Sequence, residues 1–249
     1  MVYKEFRAVI SFLTIVPISK DSSVFDLNFI ASVMYLFPLV GAIIGIAVGA
    51  LAYIISFYIT PLTLGFVILL TLAVITGINH TDALADFADG IMTKGGKEIK
   101  HQAMDDPAVG SAGVVALVLY LSGMIIILSS FTSSTKLCAS IISAEIIAKY
   151  VMVFQAYGGR SAWEGYSSPF TKAMKDRRKF VVATGVTLPL ILFATGLIGM
   201  VSLCSSVIVA IIIKYSANRS FGGISGDVLG ASNEISRLSS LIVMSSFNL

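Results

Sequence analysis

The stretch His80-Thr81-Asp82-Ala83-Leu84-Ala85-Asp86-Phe87-Ala88-Asp89-Gly90 decides how the whole chain reads. It follows the apolar run Thr63 to Ile78, so a helix leaving a membrane is expected to carry it. On a helix, Asp82, Asp86 and Asp89 fall at i, i+4 and i+7, which places three carboxylates on one face and turns His80 to the opposite side. Like charges one turn apart repel, more so beside a low-dielectric membrane, and the stripe makes sense where a cation sits on it. Oxygen ligands without neighbouring cysteine favour a hard divalent ion, Mg²⁺ or Mn²⁺, over zinc. The plainer alternative is an acidic helix end facing water. Carboxylates at a membrane edge are costly and usually functional, which favours the metal.

Of the 249 residues, 56% are hydrophobic and only 12% charged, with a mean hydropathy of +0.91. A soluble domain carries about a quarter charged residues, so this is a polytopic membrane protein. The net charge of +3 is too small, and its basic residues too scattered, for a nucleic-acid partner. Cys138 and Cys204 both lie in apolar runs and read as small buried hydrophobes, with no disulfide or zinc framework. Met1 to Lys20 has no long apolar core followed by a small-residue cleavage site, and no removable signal peptide is expected.

An all-α bundle of about six transmembrane helices is expected, forming a single integral-membrane catalytic domain over 1–249. Residues 1–28 are amphipathic, with Phe6 to Ile18 an interfacial lead-in that stops at Pro17. The first span runs from Phe29 to Phe57, kinked by Pro38, with Gly41, Gly45 and Gly49 as a small-residue face for close packing. Tyr58 to Pro61 turns into a second span ending near His80. The third covers Ala112 to Phe131 and the fourth Leu137 to Tyr157. Phe180 to Ile213 would be roughly 50 Å long as one helix, so it is split into two spans turning near Gly196 to Ser202. Lys214 to Leu249 reads as a Gly-rich polar segment with a short apolar tail, and no repeat of fixed period occurs.

Charge orients this arrangement. The N-terminus and the segments 80–111, 157–180 and 214–237 hold nearly all the lysines and arginines, Arg237 among them, whereas the opposite loops hold only Lys136. The positive-inside rule makes the first side cytoplasmic, at the cell membrane. Every Asp and Glu except the intramembrane Glu145 falls on that side, so the chemistry is expected to face the cytoplasm.

Two further stretches carry polar groups. In Phe221-Gly222-Gly223-Ile224-Ser225-Gly226-Asp227-Val228-Leu229-Gly230-Ala231-Ser232-Asn233-Glu234, a helix from about Gly226 would place Asp227 and Glu234 on one face, with Gly230 and Ala231 leaving room for a ligand or a neighbouring helix. A packing helix with a solvated acidic end is an equal reading. Ala103-Met104-Asp105-Asp106-Pro107-Ala108-Val109-Gly110-Ser111-Ala112-Gly113 sets carboxylates on flexible backbone ahead of a span, a pattern that also punctuates ordinary loops.

Together these stretches resemble the cobalamin synthase family, the adenosylcobinamide-GDP ribazoletransferases. The family's H-x-D-G-L-x-D-x-x-D-G stretch is matched by His80, Asp82, Leu84, Asp86, Asp89 and Gly90, with Ala83 in place of the glycine. Its M-x-D-x-x-x-G stretch is matched by Met104, Asp106, Gly110 and Gly113, but Asp105 and Ala108 stand where the family has arginines; Lys97, Lys100 and His101 are nearby cations. Its G-G-x-x-G-D-x-L-G-A-x-x-E stretch is matched by Gly222, Gly223, Gly226, Asp227, Leu229, Gly230, Ala231 and Glu234. Phe12-Leu13-Thr14 with Pro17 and Phe37-Pro38-Leu39-Val40-Gly41 are also similar, with Ile15 where an arginine is usual. The resemblance runs in the same order over nearly the whole chain.

The resemblance implies that a hydroxyl of α-ribazole, or of its 5′-phosphate, attacks the cobinamide-linked phosphate of adenosylcobinamide-GDP and that GMP leaves. Phosphoryl-type transfer calls for a divalent ion and in-line positioning. It implies Asp82, Asp86, Asp89 and Asp227 as ligands of Mg²⁺ or Mn²⁺, and Asp82, Asp86, Asp89, Asp106 and Glu234 as catalytic residues. It implies His80, Lys100, Arg160, Asp227 and Asn233 as substrate-binding residues. The architecture also resembles that of the CDP-alcohol phosphotransferases, phospholipid enzymes whose D-G-x-x-A-R signature is absent here. A divalent-cation transporter is the alternative from another class, disfavoured because the acidic residues gather at one face.

Glu145 and Lys149, one turn apart in the fourth span, read as a mutually neutralising structural pair. Trp163 with Tyr157 and Tyr166 reads as an interfacial belt, or as rings that stack on a base or a corrin edge. Arg160, after Gly158-Gly159, is placed to bind a phosphate bidentately, whereas Arg177, Arg178 and Lys179 anchor the next span to anionic lipid.

Overall fold

The structure, a computed structural model, describes residues 2–16 and 26–247; Pro17, the expected stop of the lead-in, lies outside them. Its axis is α8 (Ser134–Gly158), which starts on the N-cap Ser133 and is buried along most of its length. Against it lies α3 (Phe37–Ile55). A Cβ on Gly41 would come within 2.5 Å of the Glu145 carbonyl oxygen, and one on Gly45 within 2.6 Å of Ile142 Cα. The small-residue face therefore lets two backbones touch, as expected. Pro38 does not kink a continuous span. The chain breaks at Val33 between α2 (Leu27–Ser32) and a 3₁₀ turn, Met34–Leu36, and Pro38 sits in the first turn of α3, where its missing N–H costs nothing.

The second apolar run forms α4 (Pro61–Thr76), opened by Thr60 as N-cap with Pro61 in its first turn. It does not continue into the acidic stretch. Gly77, at φ +65° and ψ 171°, takes a conformation reserved for glycine, and α5 (Asn79–Met92) departs at a 94° bend. The acidic motif thus rides on its own helix. The residues after α1 (Val2–Leu13) fasten the end of α4, with Ile15 N–H donating to the Ile75 carbonyl at 2.9 Å. After α5 come the short α6 (Lys97–Met104) and the apolar α7 (Ser111–Ser129). The connection after α8 contains the six-residue α9 (Ser168–Ala173).

The long run Arg177–Ser220, α10, is interrupted at Gly196 (φ 62°, ψ −144°). Its contacts with α8 show that the two halves run in opposite directions. Phe180 stacks on Tyr157, Thr184 bonds Tyr150, and Thr195 bonds Ser143 on the way out. On the return, Gln155 donates to the Ala210 carbonyl and Lys214 lies over the Phe154 ring. The split expected near Gly196 is present. Among the described residues four helices are long and apolar enough to cross a membrane, or five if the bent pair α4–α5 is one span. Outward apolar side chains such as Phe193, 94% exposed, complete the surface of a multi-pass helical membrane protein.

The C-terminal region is one helix, α11 (Gly226–Ser246), not a polar segment with a tail, and this corrects the charge assignment. Arg237 is not on the cytoplasmic rim; it is 3% exposed, inside the bundle. Its Nε and Nη2 donate to Glu145, and its Nη1 to Glu234 and to the Tyr120 hydroxyl, which in turn donates to Glu234. Lys149 stands 3.8 Å from Glu145 and donates to Asn233 Oδ1 at 2.7 Å, while Asn233 Nδ2 donates to Glu234. Glu145 is therefore not the lone deep carboxylate, and Lys149 is not its closest partner. Two carboxylates and two cations neutralise one another where unpaired charge would be prohibitive.

Candidate active site

Helix α5 is held in place by the last of its three carboxylates. Asp89 Oδ2 accepts from Gly110 N–H at 2.8 Å and Oδ1 from Gly113 N–H at 2.9 Å, capping the N-terminus of α7 from another helix. A Cβ at either glycine would fall within 2.5 Å of that carboxylate. These two glycines therefore serve the capping contact.

A cavity of about 650 Å³ opens between α5, the start of α11 and the 163–170 segment. From α5 it receives Asn79, His80 and Ala83, and from the start of α11 the N-cap Ser225 with Gly226 and Asp227. His80 Nδ1 is buried and has no hydrogen-bond partner in the protein. Burial, reinforced by the Lys149 and Arg237 charges, pushes the His80 pKa well below its usual value, so the imidazole is neutral. The two helices approach closely because Gly230 faces Ala83; a Cβ at Gly230 would come within 2.5 Å of Ala83 Cβ. Much of the rest of the lining is aromatic, with Phe12, Phe37 and Phe170 in mutual contact and Trp163 and Tyr166 nearby in the sequence.

Beside the cavity the acidic stripe meets Asp227. Asp86 is half-buried, and desolvation pushes its pKa up to about 7, followed by the charges of Asp82, Asp227, Asp89 and Asp105. Asp227 is raised as well, chiefly by burial, although the Ser225 hydroxyl donates to it at 3.2 Å. Carboxylates from α5, α11 and the loop after α6 thus share one field, and the donor set suits a hard divalent ion. Among the described residues no three acidic, histidine or cysteine side chains stand close enough to hold one ion in this arrangement, so binding requires side-chain movement.

The other residues singled out in the sequence are spread more widely. Lys100 donates to the Gly90 and Ile91 carbonyls, closing the end of α5. Asp106 accepts from Ala108 N–H in an exposed turn, while its neighbour Asp105, 3.2 Å from His101 Nε2, lines the cavity. Asn233 and Glu234 belong to the buried charge network, about two turns below Asp227, and do not line the cavity. Arg160 Nε donates to the Gly222 carbonyl at 2.8 Å and borders a separate, open depression of about 380 Å³ with Asn218. Sequence reasoning assigned no role to Phe12, Phe37 and Phe170. The first two lie in the stretches Phe12-Leu13-Thr14 and Phe37-Pro38-Leu39-Val40-Gly41, whose likeness to the family was the available signal.

The profile of the family described as cobalamin-5-phosphate synthase matches residues 5–245. The adenosylcobinamide-GDP ribazoletransferase of Methanocella arvoryzae is 32% identical, covering 96% of this chain and 94% of its own. That of Pyrococcus abyssi is 32% identical, covering 96% and 97%, and that of Methanococcoides burtonii 30%, covering 96% and 90%. No solved structure matches the chain.

Proposed function

The chain belongs to the cobalamin-5-phosphate synthase family, and from that membership we propose that it performs the last step of cobalamin nucleotide-loop assembly. Adenosylcobinamide-GDP and α-ribazole, or its 5′-phosphate, give adenosylcobalamin, or its 5′-phosphate, and GMP. The oxygen of a ribazole hydroxyl forms a bond to the cobinamide-linked phosphorus, the bond from that phosphorus to the GMP oxygen breaks, and the hydroxyl proton is released.

The approach of the α5 stripe to Asp227, beside a cavity that Asp227 and Asp105 line, carries the assignment of the site. Asp82, Asp86 and Asp227 would hold Mg²⁺ or Mn²⁺. Asp89, whose two oxygens already take amide hydrogen bonds, fixes α5 beside them. Held there, the ion would supply charge neutralisation for the diphosphate. His80, with its unpartnered Nδ1, and Asn79 are placed to bind polar groups of an occupant. Glu234 and Asn233 act from beneath, by fixing the depth and pitch of α11 and hence of Asp227. Asp105, not Asp106, is the loop carboxylate at the cavity.

The site faces the cytoplasm in this reading, at the cell membrane. Removing Arg237 from the count leaves the cytoplasmic excess of Lys and Arg intact. Six crossings follow from α3, α7 and α8 if α4 crosses once and α10 twice, and α11 adds a further helix through the bundle, running antiparallel to α8 from Ser232 beside Gln155 to Arg237 beside Glu145.

Purified protein in detergent with adenosylcobinamide-GDP, α-ribazole and Mg²⁺ should release GMP and form a cobalamin product in equal amounts by chromatography. Absence of GMP release with intact, folded protein would refute the assignment.

A further inference from the structure

One half of the cavity takes no part in the chemistry proposed so far. Of its lining residues, Phe37 and Met34 are fully buried, and Phe170 and Met152 nearly so. The Phe12 ring lies 5.9 Å from Phe37 and 5.6 Å from Phe170, and those two are 6.3 Å apart, so three rings form one continuous wall. None of these side chains carries a hydrogen-bonding oxygen or nitrogen. The polar lining comes largely from other elements, with Asn79 and His80 on α5, Asp227 on α11, and His101 and Asp105 at the end of α6. A cavity of about 650 Å³ lies in the range that holds one small organic ligand, too small for a corrin with its side chains and adenosyl group.

We propose that the Phe12–Phe37–Phe170 wall seats the aromatic base of the ribazole acceptor and sets which bases the enzyme accepts. The inference rests on the ribazoletransferase reading above and adds an acceptor subsite to it. The deciding physical point is hydrogen bonding. The guanine of the other substrate presents donors and acceptors along its edge, and burying them against Phe and Met would leave them unpaired. The carbocyclic edge of a benzimidazole has none, and it gains ring-to-ring contacts there. Seated this way, the ribose points toward α5 and α11, where its hydroxyls meet His80 and Asn79 and the nucleophile faces the carboxylates. Trp163, the single tryptophan, lines the same cavity with its ring 3.7 Å from that of His101.

The test is binding of α-ribazole to the full chain by equilibrium dialysis, alongside KM for each substrate. Phe170→Leu, and independently the half-buried Phe12→Leu, should weaken α-ribazole binding roughly 3- to 10-fold, the equivalent of losing one aromatic contact. Both should reduce the preference for α-ribazole over an analogue with a purine base, and leave the KM for adenosylcobinamide-GDP unchanged. Unchanged α-ribazole binding in whichever variants fold, or a selective rise in the KM for adenosylcobinamide-GDP, would overturn the subsite. If the wild-type chain binds α-ribazole through this wall but releases no GMP, the subsite stands and the transferase reading fails.

Discussion

Asp89 and Gly113 are joined across two helices, the carboxylate of one accepting the backbone N–H of the other at 2.9 Å. With Gly110 the contact makes Asp89 the N-cap of a span that starts more than twenty residues later, and it locks the acidic helix to the bundle. Gly113→Ala would put a Cβ 2.5 Å from Asp89 Oδ2. Both Gly113→Ala and Asp89→Asn should therefore lower the melting temperature in detergent, each by the equivalent of about 1–2 kcal/mol, whether or not Mg²⁺ is present. An Asp89→Asn protein that melts like the wild type without metal but no longer gains stability from it would make Asp89 a ligand instead of a cap.

Asp86 is expected to behave in the opposite way. Its carboxylate is crowded by four others, so Asp86→Asn relieves repulsion and should not lower the melting temperature of the metal-free protein. The same change removes charge that a divalent ion needs, and turnover should fall by orders of magnitude. Near-normal turnover of Asp86→Asn at limiting Mg²⁺ would show that the ion is held elsewhere.

The Arg237 network predicts a strong dependence on partners. Arg237→Met leaves Glu145 and Glu234 buried without their shared cation and should cost about 3–5 kcal/mol, seen as loss of folded protein in size-exclusion chromatography. Replacing both carboxylates as well, with Glu145→Gln and Glu234→Gln, should restore much of the yield. Absence of rescue would mean that the guanidinium supports the bundle by packing alone.

What was legible in the sequence follows from which interactions are local. The apolar runs of α7 and α8 and the Gly41-Gly45-Gly49 face are written in contiguous residues, and each appears where expected. The i, i+4, i+7 stripe also survives, because helical period does not depend on where the helix points. The 94° bend does depend on one backbone conformation, at Gly77, and periodicity on either side of it is the same for a straight helix. Arg237 was misplaced for a related reason. Its flanks, Ile235-Ser236 and Leu238-Ser239-Ser240, look interfacial, and its partner Glu145 is 92 residues away. The cavity wall joins Phe12, Phe37 and Phe170 across three elements, and no spacing rule connects them.

Gly196 offers a test of topology without a steric complication. No atom lies within 4 Å of a Cβ built there, yet φ 62° with ψ −144° is open to glycine alone. Gly196→Ala should destabilise by about 1–3 kcal/mol through backbone strain, because a Cβ there meets no atom within 4 Å that could compensate. In a background lacking Cys138 and Cys204, cysteines at positions 60 and 197 should label from one side and at 95 and 178 from the other. Labelling of 60 and 95 from the same side would sink the six-span arrangement.

Arg160 is the remaining cation with a specific claim. Its Nε is committed to the Gly222 carbonyl, tying the end of α8 to the Gly222-Gly223 turn, and Ile224 N–H returns a bond to its carbonyl at 2.8 Å. A Cβ on Gly223 would fall 2.6 Å from that carbonyl oxygen, so the turn and the arginine backbone are in direct contact. The guanidinium therefore serves the segment that leads into Ser225 and Asp227, and Arg160 also borders the separate open depression with Asn218. A lysine cannot reproduce the planar donor set that bonds a carbonyl and an oxyanion at once. Arg160→Lys should lower kcat or raise the KM of one phosphate-bearing substrate selectively, whereas Arg178→Lys, at the start of α10 among lipid-anchoring cations, should do neither. Because the Gly222 bond alone would give a loss that is uniform across substrates, the KM pattern separates phosphate binding from turn positioning. Equal and negligible effects of the two substitutions would reduce Arg160 to one more anchor at the membrane surface.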